Sequence, residues 1–273
     1  MTEHGQGFGP EAGRTIAIDI QAAVQPALEA AMATGGAVAI ALDAVKARDY
    51  SSPLFLQSNG INYLFGFNNI PADKMHIVHA HWFLTHGIQD LTRGVFETLK
   101  NVHVVAQSLK MQGQVLSNEQ VSEYMAKARL EAATLPFPAL LNAVRQAMPA
   151  TLTTLADLQT MQNVRNCLEH RSGVVGDTDV KNGPLTLRWF HMKVRARVAG
   201  EMIETPPGWV APEGGAEVWF DSVTSEKAWS LGQRVSLTST EFADLAMSCV
   251  HVANSLSQAL ELMVPAHPPA RPA

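Results

Sequence analysis

The chain has 273 residues, of which 47% are hydrophobic and 16% charged, with a formal charge of −5 at pH 7. That is enough apolar material for a substantial core in one domain or two, and the acidic balance argues against a protein that coats nucleic acid unselectively, while leaving room for a local basic cleft. Cys167 and Cys249 supply no disulfide framework and fit a reducing cytosol. The start MTEHGQGFGPEAG has neither the basic head nor the apolar centre of a signal peptide. No run of about 18 uninterrupted apolar residues occurs, so a cytoplasmic protein without a membrane span is expected.

Residues 1–12 are polar and glycine-rich and are expected to form a disordered arm. A helical bundle is expected over 13–182. Ile16–Ala33 and Ala37–Arg48 are alanine-rich and periodic, and Gly35 and Gly36 are expected to separate them into two helices. Pro53–Phe67 carries Asn59-Gly60 between LFLQS and INYLF, which fits either a hairpin or an irregular apolar loop. Pro71 suits a first helical turn and opens a long helix to about Met111, in which Gly87 and Gly94 are weak points. Ser117 with Gln120 forms a capping box for a helix through Ala133, and Pro138 opens another that ends before Pro149.

A further helix is expected over 154–172, with Leu155, Leu158, Met161, Val164 and Leu168 at spacings of three and four. Gly173 suits a left-handed position past its end. From 183 to 237 the pattern changes to that of a small antiparallel β subdomain. Phe190, Met192, Val194, Ala196 and Val198 alternate with His191, Lys193, Arg195 and Arg197, the period of a half-buried strand. Met202–Glu204, EVWFDSV and RVSLT read as further strands. Thr238 and Glu241 form a second capping box for a helix over 238–263, whose apolar stripe must return to the bundle, and 264–273 is a proline-rich tail.

The segment with most chemistry is RNCLEH, Arg165 to His170, on the last turns of the 154–172 helix. Arginine is a permanent planar cation shaped for phosphate oxygens, and histidine exchanges protons near neutral pH. At about 100° per residue, Gln159, Asn163, Asn166 and His170 fall within about 60° of one another and form an uncharged polar stripe. Arg165 points elsewhere, between the directions of Leu158 and Met161 and about 140° from His170. On one straight helix the two do not converge on one substrate atom.

The pattern of Arg, then Asn, three free residues and His resembles the signature of the HEPN (higher eukaryotes and prokaryotes nucleotide-binding) superfamily. The six motif residues carry the resemblance, and the helices from 71 to 176 follow it loosely. It implies a mainly α fold, a HEPN-like helical bundle from which the small β-sheet inserted before the last helix departs. It also implies a homodimer in which facing motif helices share one cleft, and a metal-independent endoribonuclease with Arg165, Asn166 and His170 as catalytic residues. By the same resemblance the setting is defence or toxin-like control of RNA, with a cognate antitoxin or regulator as a partner. A HEPN-like module that binds a partner protein or nucleotide and cuts nothing is the alternative.

No cofactor is expected. His76, His79, His81 and His86 crowd the long helical segment, but only His76 with His79 and His86 with Asp90 share a face, so no metal site is expected there. Arg188, Trp189, Lys193, Arg195 and Arg197 mix cations with an aromatic surface in the manner of single-strand nucleic-acid binders. The favoured reading of that strand is an ordinary solvated face whose cations pair with acids such as Glu201 and Glu204.

Overall fold

In the computed structural model, the described residues are 18–51, 70–114, 116–149, 152, 154–206 and 209–264, together with the backbone of two short strands at 54–58 and 61–65. The elements run α1 (Ile20–Ala47), β1 (Leu54–Ser58), β2 (Ile61–Phe65), α2 (Ala72–Leu109), α3 (Asn118–Thr134) and α4 (Phe137–Ala147). They continue with α5 (Leu155–His170), β3 (Leu185–Val198), β4 (Glu201–Glu204), β5 (Glu217–Trp229) and α6 (Ser239–Glu261). The fold is mainly α, with a small antiparallel sheet before the last helix. The expected arm at 1–12 and the tail from 265 onward lie outside the described residues, as does the Asn59-Gly60 turn. The strands flanking that turn pair antiparallel, from Leu54↔Phe65 to Ser58↔Ile61, which resolves the open alternative in favour of a hairpin.

Helix α2 is the spine. Its 38 residues extend about 57 Å, and α1, α3, α4, α5 and α6 all pack on it. Ile88, Leu91, Val95, Leu99, Val102 and Ala106 keep helical spacing and are buried along its length. Against it lies α1, which is one continuous helix and not the expected two. Glycine costs about 1 kcal/mol in a helix interior, and here close packing offsets that cost: a Cβ on Gly35 would stand 2.8 Å from the Cβ of Ala246 in α6. Gly87 and Gly94 are also close-approach positions. A Cβ on Gly87 would meet the Phe242 ring at 2.6 Å, and one on Gly94 would lie 2.4 Å from Ala30 Cβ and 2.7 Å from the Pro26 carbonyl oxygen.

Pro26 sits inside α1, and one residue on, the Ala27 N–H donates to Thr98 Oγ1 at 2.9 Å. A hydroxyl of α2 thus satisfies a backbone amide of α1 next to its proline. Helix α1 is long and apolar enough to cross a membrane, and in this fold Ala23, Val24, Ala27, Ala31, Val38 and Leu42 are buried in the shared core. Both expected capping boxes form, at Ser117/Gln120 and at Thr238/Glu241.

The sheet has the order β4-β3-β5, with both pairings antiparallel. Strand β3 begins at Leu185 and not at Phe190, and its first half is wedged between α5 and α6. Helices on both sides bury Leu185, Leu187 and Trp189 as well as Phe190, so the simple alternation fails there, and Met192, expected inward, is exposed. On the edge that β4 does not reach, the Arg188 N–H donates to Thr160 Oγ1 and the Phe190 N–H to Ser248 Oγ, at 2.9 and 3.1 Å. Helix hydroxyls thereby close a sheet edge that would otherwise carry unpaired amides. The expected RVSLT strand is instead a single bridge, Val174↔Arg234, which ties the chain after α5 to the chain before α6.

Gly94→Ala tests the α1–α2 seam. Helix propensity alone favours alanine by about 1 kcal/mol, whereas overpacking costs about 1–3 kcal/mol. The variant is expected to unfold at lower urea concentration than wild type, and a higher midpoint would show that the seam is looser than this packing.

Candidate functional site

Helix α5 lies between α2 and β3. Leu155, Leu158, Met161, Val164, Cys167 and Leu168 are buried and anchor it, so the remaining directions of the helix are divided between two openings. On one flank, Asn163, Asn166 and His170 line a cleft of about 550 Å³ whose opposite wall includes Lys181, Asn182 and Thr186. On the other flank, Arg165, Gln162 and Glu169 line a second cleft of about 480 Å³ with Gln89 and Arg93 of α2. Three of the four stripe residues, Asn163, Asn166 and His170, therefore share one cleft as the helical geometry predicts, and Gln159 does not line it. Arg165 and His170 of the same chain open into different clefts.

A chain of polar contacts links the two flanks. Gln89 Nε2 donates to Glu169 Oε1 at 2.5 Å, and Arg165 Nη2 pairs with Glu169 Oε2 at 2.6 Å. Arg165 Nη1 also donates to Asn166 Oδ1 at 3.3 Å, and Gln162 Nε2 donates to the same oxygen at 3.1 Å. A guanidinium has no acceptor, so the Asn166 atom facing Arg165 must be its oxygen. Arg165 thereby sets the direction of the Asn166 amide. Its own side chain is 32% exposed against 15% for Glu169, which shows how a cation near the apolar stripe is accommodated: it is neutralised by its i+4 neighbour. The His170 side chain is 64% exposed, with Nε2 3.9 Å from Glu169 Oε2.

The turn after α5 is clamped on several sides. Ser172 has φ 51° and Gly173 φ 70°, and a Cβ on Gly173 would press to 3.0 Å from the His81 ring. Arg234 Nη1 donates to the Ser172 carbonyl at 2.8 Å, and the Val235 N–H to that of Gly173 at 2.8 Å. Arg171 grips Asp179 with two hydrogen bonds, the Nε–Oδ2 one being 2.6 Å, and the Gly176 N–H donates to Asp179 Oδ2 at 2.9 Å. Burial pulls the Arg171 pKa down, but the hydrogen bond and charge of Asp179 outweigh it and leave the guanidinium above its ordinary value. These contacts hold the wall that faces His170.

The sequence reading missed Asp179, His81, Lys181 and Arg171 as parts of this site. Only Arg171 carried a local signal, being next to the motif. Burial pushes the His81 imidazole below its ordinary 6.5, and the Arg234 cation acts in the same direction. His81 Nδ1 is buried without a hydrogen-bond partner among the described residues. The motif's own thiol, Cys167, is pushed up chiefly by burial, and Cys249 is pushed up to about 12 by burial alone. Neither cysteine is a thiolate nucleophile at neutral pH.

The basic strand is a paired surface. Arg188 binds Glu226 at 2.6 Å, Lys193 binds Glu204 at 3.2 Å, Arg195 binds Asp221 at 2.5 Å and Arg197 binds Glu217 at 3.3 Å. Three of these four acids come from β5 and one from β4. Trp189 is 4% exposed, which leaves no ring face for a nucleobase. The helix histidines disperse: His79 Nδ1 meets the Tyr50 hydroxyl at 3.0 Å, His86 Nδ1 lies 2.8 Å from the Trp82 carbonyl, and His81 sits under Gly173. Among the described residues no group of three or more His, Cys, Asp or Glu side chains is placed to hold a metal ion.

Comparison of the chain with protein-family models, curated proteins and solved structures gives no match. The reading of the site therefore rests on its geometry and on the RNCLEH pattern.

Two predictions concern the scaffold. Asp179 is 5% exposed in its side chain, so Asp179→Ala leaves Arg171 without its partner and is expected to lower unfolding free energy by about 1–3 kcal/mol in urea titrations. A change below about 0.5 kcal/mol, the range of ordinary surface substitutions, would show that the clamp is dispensable. Because burial lowers the pKa values of His81 and His251, the unfolded chain takes up protons more readily than the native one. Their stabilisation is complete above about pH 6.5 and is lost as pH falls through the native values. Unfolding free energy is expected to decline from pH 7 to pH 5, and His81→Asn should flatten that decline; an unchanged profile would remove His81 from it.

Proposed function

We propose that this protein is a metal-independent endoribonuclease that acts on RNA as a homodimer. The observation that carries the reading is the placement of His170, a largely exposed imidazole at the rim of a polar cleft that also takes in Asn163 and Asn166. The ribose 2′-hydroxyl attacks the adjacent phosphorus, the bond to the 5′-oxygen breaks, and His170 moves the proton from the attacking to the departing oxygen. The attacking oxygen belongs to the substrate, so no activated water is required. Asn166 offers amide N–H groups to phosphoryl oxygens as charge builds on them.

Arg165 serves this reaction from the far flank. Within one chain it reaches the His170 cleft only through Asn166, and its guanidinium meets phosphate directly only where the α5 helix of a second copy faces the first. The homodimer is therefore part of the proposal, since two-fold symmetry presents both motifs to one seam. By the same resemblance the setting is toxin-like or defensive, with a cognate antitoxin or regulator. A non-catalytic module that binds a nucleotide or partner protein is the second reading, favoured by the neutralisation of Arg165 by Glu169.

The test is incubation of the purified protein with mixed RNAs in excess chelator, followed by analysis of fragment ends. Cleavage leaving 2′,3′-cyclic phosphate is expected, and His170→Ala should reduce it by about 10²–10⁴-fold without moving the urea midpoint. Equal turnover by the variant, or activity that vanishes with chelator and returns with zinc or manganese, would overturn the mechanism.

A further inference from the structure

The cleft beside His170 has an unusual balance of hydrogen-bonding groups. Asn166 Oδ1 is occupied by Arg165 and Gln162, and Asn163 Oδ1 accepts from Gln159 Nε2 at 3.0 Å. Both lone pairs of Asn166 Oδ1 and one of the two of Asn163 Oδ1 are thereby used, and neither Nδ2 donates a hydrogen bond among the described residues, which leaves their N–H donors for the cleft they line. The one carboxylate in its lining, Asp179, is taken up by Arg171 and the Gly176 N–H. Lys181 also lines the cleft, exposed and with no acidic partner among the described residues. The sheet cations Arg188, Lys193, Arg195 and Arg197, by contrast, each have one.

A recess lined by amide donors and a lysine ammonium, whose one carboxylate is already paired, is complementary to an anion bearing several acceptor oxygens. Its volume of about 550 Å³ falls in the range of roughly 300–1,000 Å³ typical of small-ligand sites, room for one nucleotide unit. We propose that this cleft is a phosphate subsite for a single-stranded RNA, in which Lys181 and the amide of Asn163 hold the phosphodiester next to the one on which Asn166 and His170 act. The identity of the strand as a substrate rests on the endoribonuclease reading. The recognition of phosphate rests on the donor set alone.

Binding is measured apart from cleavage by fluorescence anisotropy with a labelled, fully 2′-O-methylated oligonucleotide, whose blocked 2′-oxygen cannot attack. Asn163→Asp keeps the shape of the side chain but replaces two donors with a charged acceptor, and about tenfold or greater weakening is expected. Lys181→Ala should weaken binding and reduce the slope of log K against log salt by about 0.7, the loss of one phosphate contact on a single strand, while Lys181→Arg retains that slope. Both positions are exposed, so melting temperatures should stay at the wild-type value. Lys181-dependent binding by a protein that cleaves no RNA supports the subsite and sinks the nuclease reading. Cleavage by wild type together with binding indifferent to both variants sinks the subsite and leaves the nuclease, and failure to bind the oligonucleotide at all also overturns the subsite.

Discussion

The position of α5 depends on one packing constraint: a helix has a single apolar stripe, and α5 spends its stripe on the core while its Thr160 hydroxyl closes the edge of β3. Once Leu158, Met161, Val164 and Leu168 are buried, every other residue of that helix has its direction set by the 100° step. Asn163, Asn166 and His170 must emerge on one flank, and Arg165 with Glu169 on the other. The separation of Arg165 from His170 follows from the five-residue step between them, about 140° on the helix, and the buried stripe decides which flank each one reaches.

That helix keeps its place because the chain is tied on both sides of the sheet excursion. The segment after α5 bridges to the segment before α6 at Val174↔Arg234, and Arg171 with Asp179 braces the intervening loop. The β subdomain therefore leaves the bundle and returns to it at nearly one point, so that α6 can lay its apolar stripe on α1 and α2. Small residues make that return possible. Gly35 admits Ala246, and Gly87 admits the Phe242 ring, at distances no Cβ would allow.

Electrostatically, the molecule spends its cations unevenly. The four basic residues of β3 are each neutralised by an acid on β4 or β5, so the surface that looks most like a nucleic-acid platform in one dimension carries little free positive charge. Such exposed pairs add little to stability. Lys181, on the loop before β3, lines the His170 cleft and has no acidic partner among the described residues.

The sequence alone determined what local rules govern. Capping boxes at Ser117 and Thr238, the stop after α5 and the polar stripe ending in His170 were legible, because each depends on residues within a turn or two of one another. The continuity of α1 was not, since Gly35 and Gly36 disfavour a helix by propensity, and the close packing of α6 that offsets this falls on Gly35 alone. Nor was the burial of Trp189, which requires helices on both faces of β3, or the loss of the RVSLT strand, whose residues instead clamp the Ser172–Gly173 turn. The divided site shows the same boundary: helical spacing placed Arg165 and His170 on different faces, but only the packed structure supplied Gln89, Asp179 and Lys181, because contacts between residues far apart in the chain are set by which stripes are buried together.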